Sequence, residues 1–170
     1  MRKFDFFLGL AIPAVCIVLA AIAGLGMLND KLKGPSLEQV GTKSAIELLR
    51  AQRGELSDWQ MLTLAIALTE SRCNPEAVGR DGDAGVLQLT PIYVEEANRL
   101  TGGDWTPEDA RDIGASVAMY EAVQRAHNPS RNLDEAVRLH NPGAGEEYRR
   151  KVRENFELVR RIEAVRRALK

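Results

Sequence analysis

The sequence predicts an all-α domain of about six helices, preceded by an N-terminal transmembrane helix. Three features carry this reading. Helix-capping patterns recur from residue 44 onward, alternating strand patterns are almost absent, and residues 6–28 form one uncharged apolar run.

Taken in order, the run at 6–28 follows Arg2 and Lys3. As a helix it would span about 35 Å, enough for the hydrocarbon core of a bilayer. Ala21-Ile22-Ala23 also fits a small-x-small cleavage site, with the residues before it as a removable signal peptide. The apolar run continues through Leu25, Met27 and Leu28, which favours an uncleaved anchor. Cys16 lacks a small residue before it and does not fit a lipidation site. Lys31 and Lys33 balance Arg2 and Lys3, so charge does not set the orientation. Residues 1–28 are therefore read as membrane anchor or signal peptide, 29–43 ("NDKLKGPS" within it) as a linker, and 44–170 as the globular domain.

Within the domain, Ser44-x-x-Glu47 and Ser57-x-x-Gln60 are capping-box patterns. Residues 61–68, "MLTLAIAL", are apolar nearly all round, as in a helix buried on every side. Asn74-Pro75 predicts that helix's stop. Thr106-Pro107-Glu108-Asp109 supplies a cap, a first-turn proline and acids at the positive helix end, with Ile113, Val117 and Tyr120 at i, i+4, i+7 after it. Leu133, Ala136, Val137 and His140 share one face of a shorter helix. The last helix begins near Glu146, with Tyr148, Val152, Phe156, Val159 and Ile162 on its inner side. Basic residues outnumber acids along it, which reads as a solvated face or as attraction to an anionic polymer or lipid head groups.

Composition narrows function. A net charge of −1, with 23 basic and 24 acidic residues, gives no drive toward nucleic acid. Two cysteines and two histidines without metal-ligand spacing give no expectation of a metal or any cofactor, and a disulfide between Cys16 and Cys73 is not expected. "DGDAG" at 81–85 suggests a calcium loop, but Ile92 stands where its closing glutamate is needed.

Glu70 is the candidate acid. It ends the apolar helix, where dehydration and the negative helix pole both favour its protonated form. A protonated carboxyl is what glycosidic bond cleavage requires of a general acid. Pairing with Arg72 or Arg80 at the surface is the plainer alternative. The following glycines, Gly79, Gly82 and Gly85, permit tight turns and close approach to a ligand. Gln88 is an amide suited to sugar hydroxyls and N-acetyl groups, or to bracing the turn.

"ESRCNPEAVGRDGDAGVLQLTP", with Glu70-Ser71, Asn74-Pro75, Gly85, Gln88-Leu89 and Pro91, resembles the signature of the lytic transglycosylase family related to the soluble lytic murein transglycosylase, a branch of the lysozyme-like fold. "RLHNPGAGEEYRRKV", with Asn141, Gly143, Gly145 and Tyr148, resembles the family's later Tyr-Asn-Ala-Gly-x-Gly block. "DIGASVAMYEAV" resembles its connecting helix. The likeness covers residues 44–152. His140 stands in place of the family's tyrosine, Cys73 in place of its aromatic residue, and Val86-Leu87 and Thr90 in place of Leu-Met and Met.

The resemblance implies peptidoglycan glycan strands as substrate, a β-1,4 bond between N-acetylmuramic acid and N-acetylglucosamine as target, and a 1,6-anhydromuramoyl product. Glu70 would be the catalytic residue, with Ser71, Gln88, His140, Asn141 and Tyr148 binding substrate. The alternatives are a two-carboxylate hydrolase using Asp81 or Asp83, or a non-catalytic peptidoglycan-binding scaffold. Beyond the wall itself and the membrane, a wall-spanning secretion, conjugation or phage machine is a compatible partner. The domain is expected to face the periplasm or cell exterior.

Overall fold

Ser57 opens the first helix as its side chain predicts. Its hydroxyl accepts from the Gln60 N–H at 3.3 Å, and the Gln60 amide oxygen accepts from the Ser57 N–H at 2.9 Å. In the computed structural model, which describes residues 55–168, helix α1 spans Asp58–Ser71. Its residues Trp59, Met61, Leu62, Thr63, Leu64, Ala65, Ile66 and Ala67 are all buried. Each large aliphatic side chain so buried contributes roughly 1.5–3 kcal/mol. The capping pattern at Ser44 and the apolar run at 6–28 lie outside the described residues. Among the described residues no helix is long and apolar enough to cross a membrane.

The helix ends earlier than Asn74-Pro75 predicts. Arg72 (φ 55°) and Cys73 (φ 60°) turn left-handed, and the Cys73 N–H donates to the Ala67 carbonyl at 3.0 Å. Each such non-glycine residue costs on the order of 1 kcal/mol. A compact loop follows, held by isolated bridges between Val78 and Ala84 and between Ala84 and Leu89. It feeds Ala84, Val86, Leu87 and Leu89 into the core.

Helix α2 (Pro91–Thr101) starts at the Thr90 cap with a first-turn proline and stops at Gly102 (φ 68°). Helix α3 (Ile113–His127) packs along it. The capping residues at 106–109 do not open α3. The Thr106 N–H and hydroxyl both donate to Asp109, and this closes a separate 3-10 turn at Pro107–Arg111. Asp112 then caps α3 by accepting from the Ala115 N–H at 2.8 Å. Helix α4 (Leu133–His140) is capped by Asn132 and anchored on α3, where the buried Gln124 amide donates to the Ala136 carbonyl at 3.1 Å. Helix α5 (Glu146–Ala168) lies along α1. The described residues thus hold five α-helices and one 3-10 turn, with no strand.

On α5, Val152 and Val159 are buried as predicted, and Tyr148, Phe156 and Ile162 are half-buried. Glu163 is 2% exposed and accepts from the Leu56 N–H at 3.1 Å. It thereby fixes the far end of α5 to the start of α1.

A second tie has a pH signature. Glu96 on α2 accepts from Arg99 at 2.7 and 2.8 Å and lies 2.7 Å from His127 Nε2 on α3. The Arg99 hydrogen bonds first, and His127 second, hold its pKa down at about 2 instead of the ordinary 4.5. A carboxyl depressed in the folded state stabilises it fully above the unfolded pKa, and that contribution is lost as pH falls through the folded value. Thermal melts should therefore show stability falling between pH 4.5 and about 2, and Glu96→Gln should flatten that part of the curve.

Candidate active site

Glu70 sits in the last turn of α1 with its side chain 16% exposed. It does not reach outward as in the surface-pair alternative. Tyr148, in the first turn of α5, donates its hydroxyl to Glu70 Oε1 at 2.5 Å. Two turns further along α5, the Asn155 amide donates to Thr69 Oγ1 at 3.0 Å. Polar contacts to two adjacent residues of α1 therefore fix the register of the two helices. Burial raises the pKa of the Tyr148 hydroxyl well above its ordinary value, and the charge and hydrogen bond of Glu70 act in the same direction. Tyr148 is accordingly a proton donor to the carboxyl and keeps its own proton.

His140, the last residue of α4, brings Nε2 to 3.3 Å from the same Oε1. Its side chain is only 3% exposed. The rings of Tyr93 on α2 and Tyr120 on α3 meet the imidazole edge-on, with centroids 5.9 and 5.8 Å away. Each of the five α-helices thus supplies one side chain to this cluster. Tyr148 donates to Oε1 and His140 Nε2 lies 3.3 Å from it, so both contacts fall on one carboxyl oxygen.

The other sequence candidates stand differently. Ser71 Oγ donates to the Val86 carbonyl at 2.9 Å and accepts from the Asn74 N–H at 3.0 Å, so it ties the end of α1 to the loop. Gln88 (φ 47°) donates both amide hydrogens to backbone, to Ala77 O at 3.1 Å and Gly85 O at 2.8 Å. Only its Oε1 is left to meet a sugar. Asn141 follows His140 as the C-cap of α4, and its carbonyl accepts from the Ala144 N–H at 3.2 Å. Asp83 turns back on its own loop and accepts from the Asp81 N–H at 3.2 Å, while Asp81 is exposed. Cys73 is buried as a free thiol, and burial pushes its pKa up to about 12, which makes it unreactive. Among the described residues no three His, Cys, Asp or Glu side chains converge to hold a metal ion.

A recess of about 620 Å³ between α4 and the start of α5 is lined by Arg138, Arg149 and Arg153 with Glu135 and Glu146. It does not include Glu70. Arg138 pairs with Glu135 and Arg153 with Glu146, so it is a charged surface groove apart from the acid.

A family model described as the transglycosylase SLT domain matches residues 47–154. The chain belongs to that family. Members of the SLT family are lytic transglycosylases that act on peptidoglycan, and the domain supports that activity in general. Glu70, Tyr93, Tyr120, His140 and Tyr148 all fall inside the matched stretch. No curated protein and no solved structure matches the chain.

Tyr93 and Tyr120 were not expected at this SLT-domain site. Tyr120 reads from sequence as one more apolar position of α3, and Tyr93 closes the glycine-rich stretch without a role of its own. Neither carries a local signal that it meets His140, because that contact joins three helices far apart in the chain.

Proposed function

We propose that Glu70 is the general acid and base of a lytic transglycosylase that cuts the β-1,4 bond between N-acetylmuramic acid and N-acetylglucosamine. The observation that carries this reading is the inward-turned Glu70 carboxyl, with Tyr148 and His140 on one of its oxygens. From Oε2, protonated Glu70 gives its proton to the glycosidic oxygen as the C1–O bond breaks. The substrate's own N-acetyl carbonyl shields the positive charge at C1. The muramoyl C6 hydroxyl then bonds to C1 and returns its proton to Glu70, which restores the acid and leaves a 1,6-anhydro end. No water is consumed. The backbone-directed Asp83 favours this scheme over one with two carboxylates.

Gln88 Oε1 and Asn141 are assigned to sugar contacts in this scheme, and Ser71 to holding the loop. In this reading residues 1–28, as membrane anchor or signal peptide, bring the domain to the periplasm or cell exterior, because the substrate lies there. Protease added to intact spheroplasts should degrade the domain, and a protected domain would overturn that assignment.

Digestion of purified sacculi followed by product mass tests the reaction. Anhydro ends, lighter by one water than hydrolysed ends, are expected. Reducing ends bearing added water would replace the proposal with a hydrolase.

Tyr148→Phe should keep the fold, since the ring still packs, but remove the donor to Oε1. A hydrogen bond to a charged group of this kind corresponds to roughly a tenfold to hundredfold loss of kcat. Steady-state rates on soluble glycan strands, beside a thermal melt, check both halves.

A further inference from the structure

We propose that His140 is a positioning residue whose Nε2–H holds Glu70 Oε1 beside Tyr148, so that Glu70 presents a single oxygen to the glycosidic bond. This rests on Glu70 being the acid. It departs from the expectation that His140 itself meets the sugar, because a side chain 3% exposed has almost no surface to offer a glycan.

The surroundings of the ring assign its tautomer. Glu70 from α1, Tyr93 from α2, Tyr120 from α3 and Tyr148 from α5 make up the polar cluster at His140, and Glu70 is the carboxylate among them. Nδ1 is buried with no hydrogen-bond partner. A hydrogen placed there would be a buried donor without an acceptor, which is costly. Nε2, by contrast, has a carboxylate oxygen 3.3 Å away, so a hydrogen there has an acceptor nearby. The two T-shaped ring contacts keep the imidazole from turning away.

The consequence is geometric. With one donor, a carboxyl group can still swing about its last carbon–carbon bond. With donors arriving at Oε1 from α4 and α5, that rotation is restrained and Oε2 is aimed. Orientation of this kind acts on the chemical step more than on binding.

The experiment compares the full-length wild type with His140→Phe and His140→Gln on soluble glycan strands. Kinetics, thermal melts and the ¹⁵N shifts of the wild-type imidazole are recorded. Phe keeps a ring without a donor, and Gln offers an amide nitrogen at similar reach. For Phe, kcat should fall about tenfold or more with KM within about twofold. Gln should recover most of the loss, and the shifts should report Nε2–H. Three results overturn the proposal: wild-type kcat in the Phe variant, a raised KM with unchanged kcat, or an Nδ1–H imidazole. Should Phe fail to fold, a Gln variant that melts normally but has lost as much kcat as Tyr148→Phe also overturns it. Absence of cleavage by the wild type removes the reading of Glu70 and this proposal together, whereas failure confined to the variants removes only the role of His140.

Discussion

Glu70→Gln should lose about 10³-fold or more of the cleavage rate while melting at the wild-type temperature. The substitution preserves shape, and the amide oxygen can still accept from Tyr148, so the contacts between α1 and α5 survive. What disappears is a titratable proton. In the proposed scheme one residue performs both proton transfers, so its replacement removes the acid that releases the leaving oxygen and the base that activates the C6 hydroxyl. Muropeptide release from purified sacculi is the measurement. Cleavage within tenfold of wild type would show that the proton comes from elsewhere. Equal glycan binding without cleavage in either protein would support the scaffold alternative.

Gly85→Ala should be among the most destabilising single substitutions in the described domain. An added Cβ would lie 1.7 Å from the Ala110 carbonyl oxygen and 2.6 Å from its carbon. Those are backbone atoms of the 3-10 turn, and Ala110 is fully buried, so no rotamer change relieves the overlap. The left-handed φ of 76° adds its own cost of about 1 kcal/mol. Together these predict a loss of about 4 kcal/mol, the range reserved for a specific structural failure. Gly102 provides the control. Its φ is 68° and nothing lies within 4 Å of an added Cβ, so Gly102→Ala should cost only the backbone part, about 1 kcal/mol. Denaturant midpoints measure both, and equal shifts would contradict the packing account. The consequence reaches the site, because Gly85 and Val86 offer the carbonyls that Gln88 and Ser71 grip.

Local signals made much of this fold legible. Ser57 opens α1 because its effect depends on residues within one turn, whereas the start of α2 at Thr90 and Pro91 was not read from the sequence. The apolar run at 61–68 announces a helix buried all round, and α1 is that. The break between Thr106 and Ile113 was not legible, since the hydrogen bonds of Thr106 and Asp109 suit a 3-10 turn as well as an α-helix. Nor was the burial of Glu163, whose partner Leu56 lies at the opposite end of the described chain. At the candidate site, two ordered motif blocks singled out Glu70 and Tyr148, and the fold brings the two into contact. Whether a polar side chain serves substrate or backbone was not legible, and Ser71 shows the difference: both of its hydrogen-bonding roles go to neighbouring backbone. His140 shared a face with Ala136 and Val137 in sequence, but its contact with Glu70 depends on how α4 meets α1.

The most direct measurement is a crystal structure of Glu70→Gln with a bound glycan strand. The account predicts the bridging β-1,4 oxygen within about 3 Å of the substituted amide, Tyr148 on the amide's other atom, and no carboxylate within roughly 5.5 Å on the far face of the anomeric carbon. A strand seated away from residue 70, or Asp81 or Asp83 facing that carbon, would contradict it.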